Sequence, residues 1–255
     1  MDLSSASTLV TGGAGGFGEA TVRRLAAVGA KVVVADLAGE KGKKLAEELG
    51  DSVRFVETDV LSEESVARAV AVATELAPLR AAVIVHGGPV ASARVLNREG
   101  RRYPLSTFRR TVDIFLSGTF NVLSQAAEAM AANEPADSNQ RGVIISTASI
   151  AGFEGQPGQS DYSAAKGGVI GMNLTVARDL APLGIRTMVI VPGVFLTPAY
   201  GDSEAAEERF GPMVPNPKRM GRADEYARLA MQIVENDYLN GESIRIDGAL
   251  RFNVR

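Results

Sequence analysis

The stretch "STASIAGFEGQPGQSDYSAAKGG", residues 146–168, carries Ser149, Tyr162 and Lys166. If residues 159–182 are helical, Tyr162 and Lys166 stand one turn apart with their side chains on the same face. A phenol beside a cation is an arrangement for proton transfer. A free phenol has a pKa of about 10, so roughly one in a thousand is ionised at neutral pH. A neighbouring ammonium favours the phenolate, and a downward shift of about two to three units would make Tyr162 a usable general base. Ser149 closes a β-branched run, where its hydroxyl can bond a substrate oxygen and fix its distance from the phenol. Taken singly, each residue has an ordinary reading. A serine at a strand end is commonly a turn residue, and a Tyr/Lys pair at this spacing is commonly a surface contact worth little.

The surrounding elements give the set its weight. Short β-branched runs, "STLVTG", "KVVVAD", "VRFVETD", "AAVIVHG", "GVIISTAS", "IRTMVIVPG" and "SIRIDG", alternate with helical patterns over 17–29, 39–50, 62–77, 105–133, 159–182 and 222–236. Continuous apolar strands separated by helices predict a single α/β domain over 1–255, built on a doubly wound parallel seven-stranded sheet with helices on both faces. Segment 198–220 is rich in Pro and Gly around one short helical stretch and is too long for a simple connection, so a substrate lid is expected there.

The first strand runs into "TGGAGGFGEA", Thr11 to Ala20, and a helix pattern follows at once. Glycines at 12, 16 and 18 let the backbone turn sharply and approach a ligand, and the free N–H groups of the helix start attract a pyrophosphate. The second strand ends on Asp36, 18 residues after Gly18, close to the offset at which a carboxylate meets an adenosine ribose. This is the Rossmann-type pattern. Asp36 would repel a 2′-phosphate, and neither the loop nor Leu37 offers a base to offset it, so NAD is expected rather than NADP. Asp59 either reaches the adenine on the same rim or is a turn acid.

Composition narrows the classes further. With 255 residues, 45% hydrophobic and 22% charged, the chain is not disordered, collagenous or a disulfide scaffold. A net charge of −3 gives no overall basic surface, so no nucleic-acid partner is expected. The absence of cysteine leaves catalysis to oxygen and nitrogen groups and fits a reducing compartment. No apolar run approaches the roughly 18 residues of a membrane span. A cytoplasmic protein without membrane contact follows as the expectation. His86 is the single histidine; without clustered ligands no metal is expected, and it reads as a strand-end packing residue rather than a catalytic acid.

With these motifs in place, the sequence resembles the short-chain dehydrogenase/reductase family through "TGGAGGFG", "YSAAK" and the Pro192-Gly193 turn leading to Thr197, and it does so over essentially the whole chain. Within the family it is most similar to the 3-hydroxyacyl-CoA dehydrogenases of type 2, through "GTFNV", "FEGQPGQ", "ARDLAPLGIR", "PGVFLTP" and "NGESIRIDGA". The resemblance implies NAD as cofactor, hydride transfer between 3-hydroxyacyl-CoA and 3-oxoacyl-CoA in fatty acid metabolism, and a homotetramer. It makes Ser149, Tyr162 and Lys166 catalytic, with Tyr162 as the acid/base. Gly12, Gly16, Phe17, Gly18, Asp36, Leu37, Asp59, Val60, Gly87, Tyr162, Lys166, Pro192 and Thr197 become cofactor-binding. Ser149 and Gln159 would meet the substrate, and Arg98, Arg101 and Arg102 either meet CoA phosphates or form a solvated loop.

Two departures stand out. The family's Asn-Asn-Ala-Gly is here Val85-His86-Gly87-Gly88, and its helix asparagine, which supports a water behind the lysine, is Phe115. Thr111 and Thr119 share the helical face of Phe115 and are candidates to hold that water. The alternatives are a dehydrogenase of another secondary alcohol, such as a hydroxysteroid, or a weakly catalytic dinucleotide-binding protein in which Phe115 has cost the proton path.

Overall fold

Seven of the β-branched runs form one parallel sheet in a computed structural model that describes residues 1–201 and 203–252. Its strands are β1 (Ser7–Thr11), β2 (Lys31–Asp36), β3 (Val53–Glu57), β4 (Leu79–Ile84), β5 (Gly142–Thr147), β6 (Ile185–Pro192) and, last in the chain, β9 (Ser243–Ile246). Two short strands between these, β7 (Phe195–Leu196) and β8 (Gly221–Arg222), pair with each other outside the sheet. The helices are α1 (Gly16–Ala27), α2 (Gly39–Leu49), α3 (Glu63–Leu76), α4 (Leu105–Val112), α5 (Gly118–Ala131), α6 (Ser160–Leu180), α7 (Ser203–Phe210) and α8 (Ala223–Glu235).

The apolar strands are explained by what covers them. Val22 and Leu25 of α1, Leu45 of α2 and Ile233 of α8 bury Val10, Val32, Val34 and Val83 on one face of the sheet. Val66 and Ala69 of α3, with Val122 and Met130 of α5, bury Leu9, Val33, Ala82 and Ile144 on the other. Neither face needs polar residues, so the polar/apolar alternation of a half-exposed strand is absent.

Strand order is β3-β2-β1-β4-β5-β6-β9, and every neighbouring pair is parallel. The chain lays β1, β2 and β3 outward in one direction, then returns to place β4 on the other side of β1. Connections from β1 and β4 therefore leave in opposite directions and open a crevice at the carboxyl ends of the strands. The doubly wound, seven-stranded α/β expectation agrees with this architecture.

One helix differs from its expectation. Residues 105–133 are not one α-helix: α4 and α5 are joined by a π-helical turn, Asp113–Ser117. The Ile114 carbonyl in this turn accepts a hydrogen bond from His86 Nε2 at 2.9 Å. Gly118 follows, where a Cβ would lie 2.8 Å from Val60 Cγ2. The wider turn and the missing side chain together let the helix run close against the β3 and β4 ends.

Segment 198–220 folds as a 3₁₀ turn (Pro198–Tyr200), α7 and a second 3₁₀ turn (Gly211–Met213). It is anchored by buried Ala206, Val214 and Met220, and by Glu207, whose carboxylate accepts from Met220 N and pairs with Arg222.

Candidate active site

The glycine loop sits where the strand order reverses. Gly12 has φ +66°, and a Cβ there would lie 2.6 Å from His86 Cα. A Cβ on Gly18 would run into the Gly12 carbonyl oxygen. Gly15 is the N-cap of α1 and contributes no side-chain cap, so the first N–H groups of the helix stay open toward the crevice. Asp36 ends β2 and accepts from Ala14 N at 3.0 Å and from Ala38 N at 2.9 Å, so its carboxylate fastens the loop while standing at the rim. An uncapped helix start framed by glycines that no side chain can replace, with a carboxylate beside it, fits a dinucleotide.

The other residues expected on this side are placed unequally. Thr197 crosses the start of α1, its Cβ 3.2 Å from where Gly16 would carry one. Pro192 is buried at the end of β6, and Leu37 is 66% exposed. Gly87 is exposed, with nothing within 4 Å of a Cβ built on it. Val60 packs on Gly118 and gives its carbonyl to Asn121 Nδ2. Asp59 is exposed and accepts from Leu61 N at 2.9 Å, the geometry of a turn acid. Phe17 turns its side chain away from the loop. Its ring stacks on buried Tyr226, with centroids 4.5 Å apart, and meets the edge of Phe195, because position 17 lies on the sheet-facing side of α1. Only its backbone faces the loop.

Ser149 and α6 form the opposite part of the crevice. Ser149 follows β5 and accepts from Ala151 N at 3.2 Å, and its hydroxyl lies close enough to that of Tyr162 to act on the phenol. Lys166 is buried, and its Nζ donates to the Thr147 carbonyl at 2.6 Å. The Thr147 hydroxyl is in turn bonded to Tyr226. Phe115, also buried, stands perpendicular to the Tyr162 ring (centroids 5.2 Å apart, planes at 87°) and turns its face to Lys166, with Nζ 4.8 Å from the ring centre. The π turn thus brings a ring against both members of the Tyr/Lys pair.

The electrostatics differ from the simple picture of a phenol depressed by its lysine. Burial raises the Tyr162 phenol above its ordinary value, and the Ser149 hydrogen bond only partly opposes this. Burial pushes the Lys166 ammonium down to about 7. The reason lies in the geometry: Nζ is directed to the Thr147 carbonyl and stands 5.8 Å from the Tyr162 ring centre. In this structure the carbonyl and the Phe115 face hold the cation.

His86 is half-buried, and burial pulls it down to about 4. It is neutral at ordinary pH; with Nε2 donating to Ile114, its Nδ1 accepts from Thr11 Oγ1 at 3.0 Å. It therefore ties β1, β4 and the π turn together. The two threonines expected to hold a water are otherwise engaged, Thr111 donating to Asp161 and Thr119 to the Phe115 carbonyl.

Arg98, Arg101 and Arg102 are exposed on a hairpin whose strands meet at Leu96 and Arg102. They project into solvent without touching Tyr162, but the hairpin base adjoins α6 through Tyr103. Gln159 is the N-cap position of α6, its side chain turned back to Gln156 N. Sequence reasoning missed Thr147, Tyr226 and Asp161. The last had a signal, an acid in the first turn of a helix.

Comparison with known proteins agrees with this arrangement. The family described as short chain dehydrogenase matches residues 6–208. A 3-hydroxyacyl-CoA dehydrogenase type-2 from Homo sapiens is 46% identical over 245 residues, covering 95% of this chain and 94% of that protein. Its counterpart from Drosophila melanogaster is 45% identical and covers 98% of each chain. The crystal structure of 3-hydroxyacyl-CoA dehydrogenase type-2 from Mycobacterium avium superposes with a TM-score of 0.97 at 48% identity, over 99% of this chain and 98% of that one. With the sheet order, the glycine loop and the Ser149–Tyr162–Lys166 cluster in place, the chain belongs to the short chain dehydrogenase family.

Proposed function

We propose that this protein is an NAD-dependent oxidoreductase that interconverts a 3-hydroxyacyl-CoA and a 3-oxoacyl-CoA. The observation that carries the reading is the Tyr162 phenol set between the Ser149 hydroxyl and a buried lysine, at the strand ends that also present the glycine loop. NAD, when bound, supplies the hydride acceptor and a positive charge that favours the phenolate. Tyr162 takes the proton of the substrate hydroxyl during oxidation and returns it during reduction. Its raised pKa suits the donor role, and oxidation relies more on nearby positive charge, to which Lys166 contributes. Ser149 holds the substrate oxygen within reach of the phenol.

Gly12, Gly16, Gly18 and the backbone of Phe17 form the pyrophosphate side. Asp36 takes the ribose hydroxyls, and its charge beside uncharged Leu37 supports NAD over NADP. Asp59, Val60, Gly87, Pro192 and Thr197 line the remainder, and Gln159 stands at the substrate side. Arg98, Arg101 and Arg102 meet the CoA phosphates, and segment 198–220 is the lid. Exposed Phe120 on α5 and Leu174 on α6 support assembly as a homotetramer. Among the described residues no helix is long and apolar enough to cross a membrane. The cytoplasm is the compartment we assign, because a cysteine-free chain suits a reducing one.

The test is a substrate panel of acetoacetyl-CoA, CoA-free ketones and ketosteroids, each with NADH and NADPH. Acetoacetyl-CoA with NADH is expected to give the highest kcat/KM, and Asp36→Ala to weaken that nucleotide preference. Preference for NADPH, or for a steroid, would redirect the reading.

A further inference from the structure

Asp161 is a carboxylate with 1% exposure, beside the residue that carries the reacting phenol. Its Oδ2 accepts from Tyr103 OH at 2.8 Å and from Thr111 Oγ1 at 2.7 Å, and its Oδ1 accepts from Tyr162 N at 2.8 Å. Burying a carboxylate costs several kcal/mol unless donors replace the lost water. Here two hydroxyls and a backbone N–H do so, and a place in the first turn of α6 adds the favourable field of the helix start. Burial draws the carboxyl upward, but the Thr111, Tyr103 and Tyr162 hydrogen bonds outweigh it and leave Asp161 below its ordinary value. Burial and the bond to Asp161 push the Tyr103 phenol up to about 12, so it remains a donor.

The donors come from separate parts of the fold. Thr111 lies on α4, one turn before Phe115. Tyr103 closes the hairpin that presents the arginines: its N–H bonds the Val95 carbonyl at 2.8 Å, and Asn97 N bonds the Arg101 carbonyl at 3.0 Å. Little else holds this hairpin. Val95 and Leu96 are 65% and 56% exposed, and Arg94, Arg98, Arg101 and Arg102 are all exposed. A two-stranded hairpin without a packed face is marginal by itself. Its base is secured by the Tyr103 hydroxyl, together with the Ser92 backbone beside Gly158 just before α6.

We propose that Asp161 is a positioning residue: it fastens the arginine hairpin to the first turn of the helix that carries Tyr162, so that the phosphate-bearing end of the substrate and its reacting carbon are held in one register. The substrate half of this statement rests on the acyl-CoA reading above; the tether itself does not.

Tyr103→Phe is the first test, because it removes one hydroxyl and keeps the ring. The native variant is digested briefly with trypsin, and cleavage at Arg98, Arg101 and Arg102 is followed by mass spectrometry. In parallel, kcat and KM are measured for acetoacetyl-CoA and for a CoA-free ketone. Loss of a hydrogen bond to a charged group is expected to raise hairpin cleavage and KM for acetoacetyl-CoA by about tenfold each, leaving kcat on the CoA-free ketone in place. Asp161→Asn should act in the same direction, and the double variant should fall short of the product of the two single effects. If Asp161→Asn fails to fold, Thr111→Val takes its place in the cycle. Unchanged cleavage in a stable Tyr103→Phe protein would overturn the tether. Faster cleavage with an unchanged KM, in an enzyme that prefers acetoacetyl-CoA, would overturn the positioning role. A wild type with no preference for acetoacetyl-CoA would instead defeat the acyl-CoA reading, and the cleavage result would then decide the tether alone.

Discussion

The two sides of the crevice are built by different means. On the glycine-loop side the work is done by backbone: a positive φ at Gly12, a close approach at Gly18 and an open helix start at Gly15. On the π-turn side it is done by side chains: the Phe115 ring against Tyr162 and Lys166, with His86 pinning the turn that aims it. The backbone side offers charge and space to a ligand without a titrating group of the loop itself. The side-chain side sets how charge and protons are held. Damage to the first should therefore appear as lost nucleotide affinity, and damage to the second as lost turnover.

The largest effect expected from this contrast is at Lys166. Lys166→Met keeps the stem and removes the ammonium, and kcat should fall by about 10³-fold, within the usual range for acid/base assistance. The same change should raise stability. In the folded protein burial lets Lys166 release its proton near pH 7, against the ordinary 10.5 of a lysine in water. Below pH 7 both states are protonated and the full burial cost is present; between the two values the unfolded chain binds more protons, so stability rises with pH. The variant should gain about 5 °C in thermal midpoint at pH 6, less at pH 9. A lower midpoint at pH 6 would mean that the Thr147 carbonyl and the Phe115 face more than offset the burial cost.

Next comes Gly18→Ala, whose methyl group collides with the Gly12 carbonyl. NADH affinity measured by fluorescence titration should drop by about 10²-fold, as expected when misplacement spoils a preorganised site. Residual kcat at saturating nucleotide should stay within a few-fold of wild type. A variant that binds normally but turns over slowly would reverse the assignment of that side.

Phe115→Leu is the mildest. It keeps apolar bulk and removes the cation–π and edge-to-face contacts, together worth about 2 kcal/mol when desolvated. kcat should fall roughly 10- to 30-fold, with NADH affinity held within twofold. If NADH affinity fell as far as in Gly18→Ala, the two sides would not be separable.

The contrast also explains what could be read from sequence. The glycine loop, Asp36 and the seven strands were legible because few residue types tolerate a positive φ or a fully covered strand, so their spacing is informative. The Ser149, Tyr162 and Lys166 set was visible for a similar reason, as a short list of chemically competent types at strand and helix positions. The π turn was not visible, since residues 105–133 carry one helical pattern and one extra residue in a turn leaves no mark in composition. Phe115 was noticed only as a missing asparagine; that its ring would lie on Lys166 depends on the turn. The packing of the Phe17 ring was not legible, because a loop position says nothing about which way its side chain faces, and Tyr226, which receives it, is over 200 residues away in the chain. Asp161 was passed over, since an acid in the first turn of a helix is ordinary and its hydroxyl donors, Tyr103 and Thr111, come together only through the fold.

The most direct measurement of the central claim is made on Tyr162→Phe, with hydride transfer followed in a single turnover and NADH affinity determined on the same preparation. Transfer should be abolished to background while NADH binds within a few-fold of wild type, because the change removes the transferable proton and leaves the glycine side untouched. Retention of most of the wild-type transfer rate would contradict that claim, since the phenol would then not be the group that exchanges the proton.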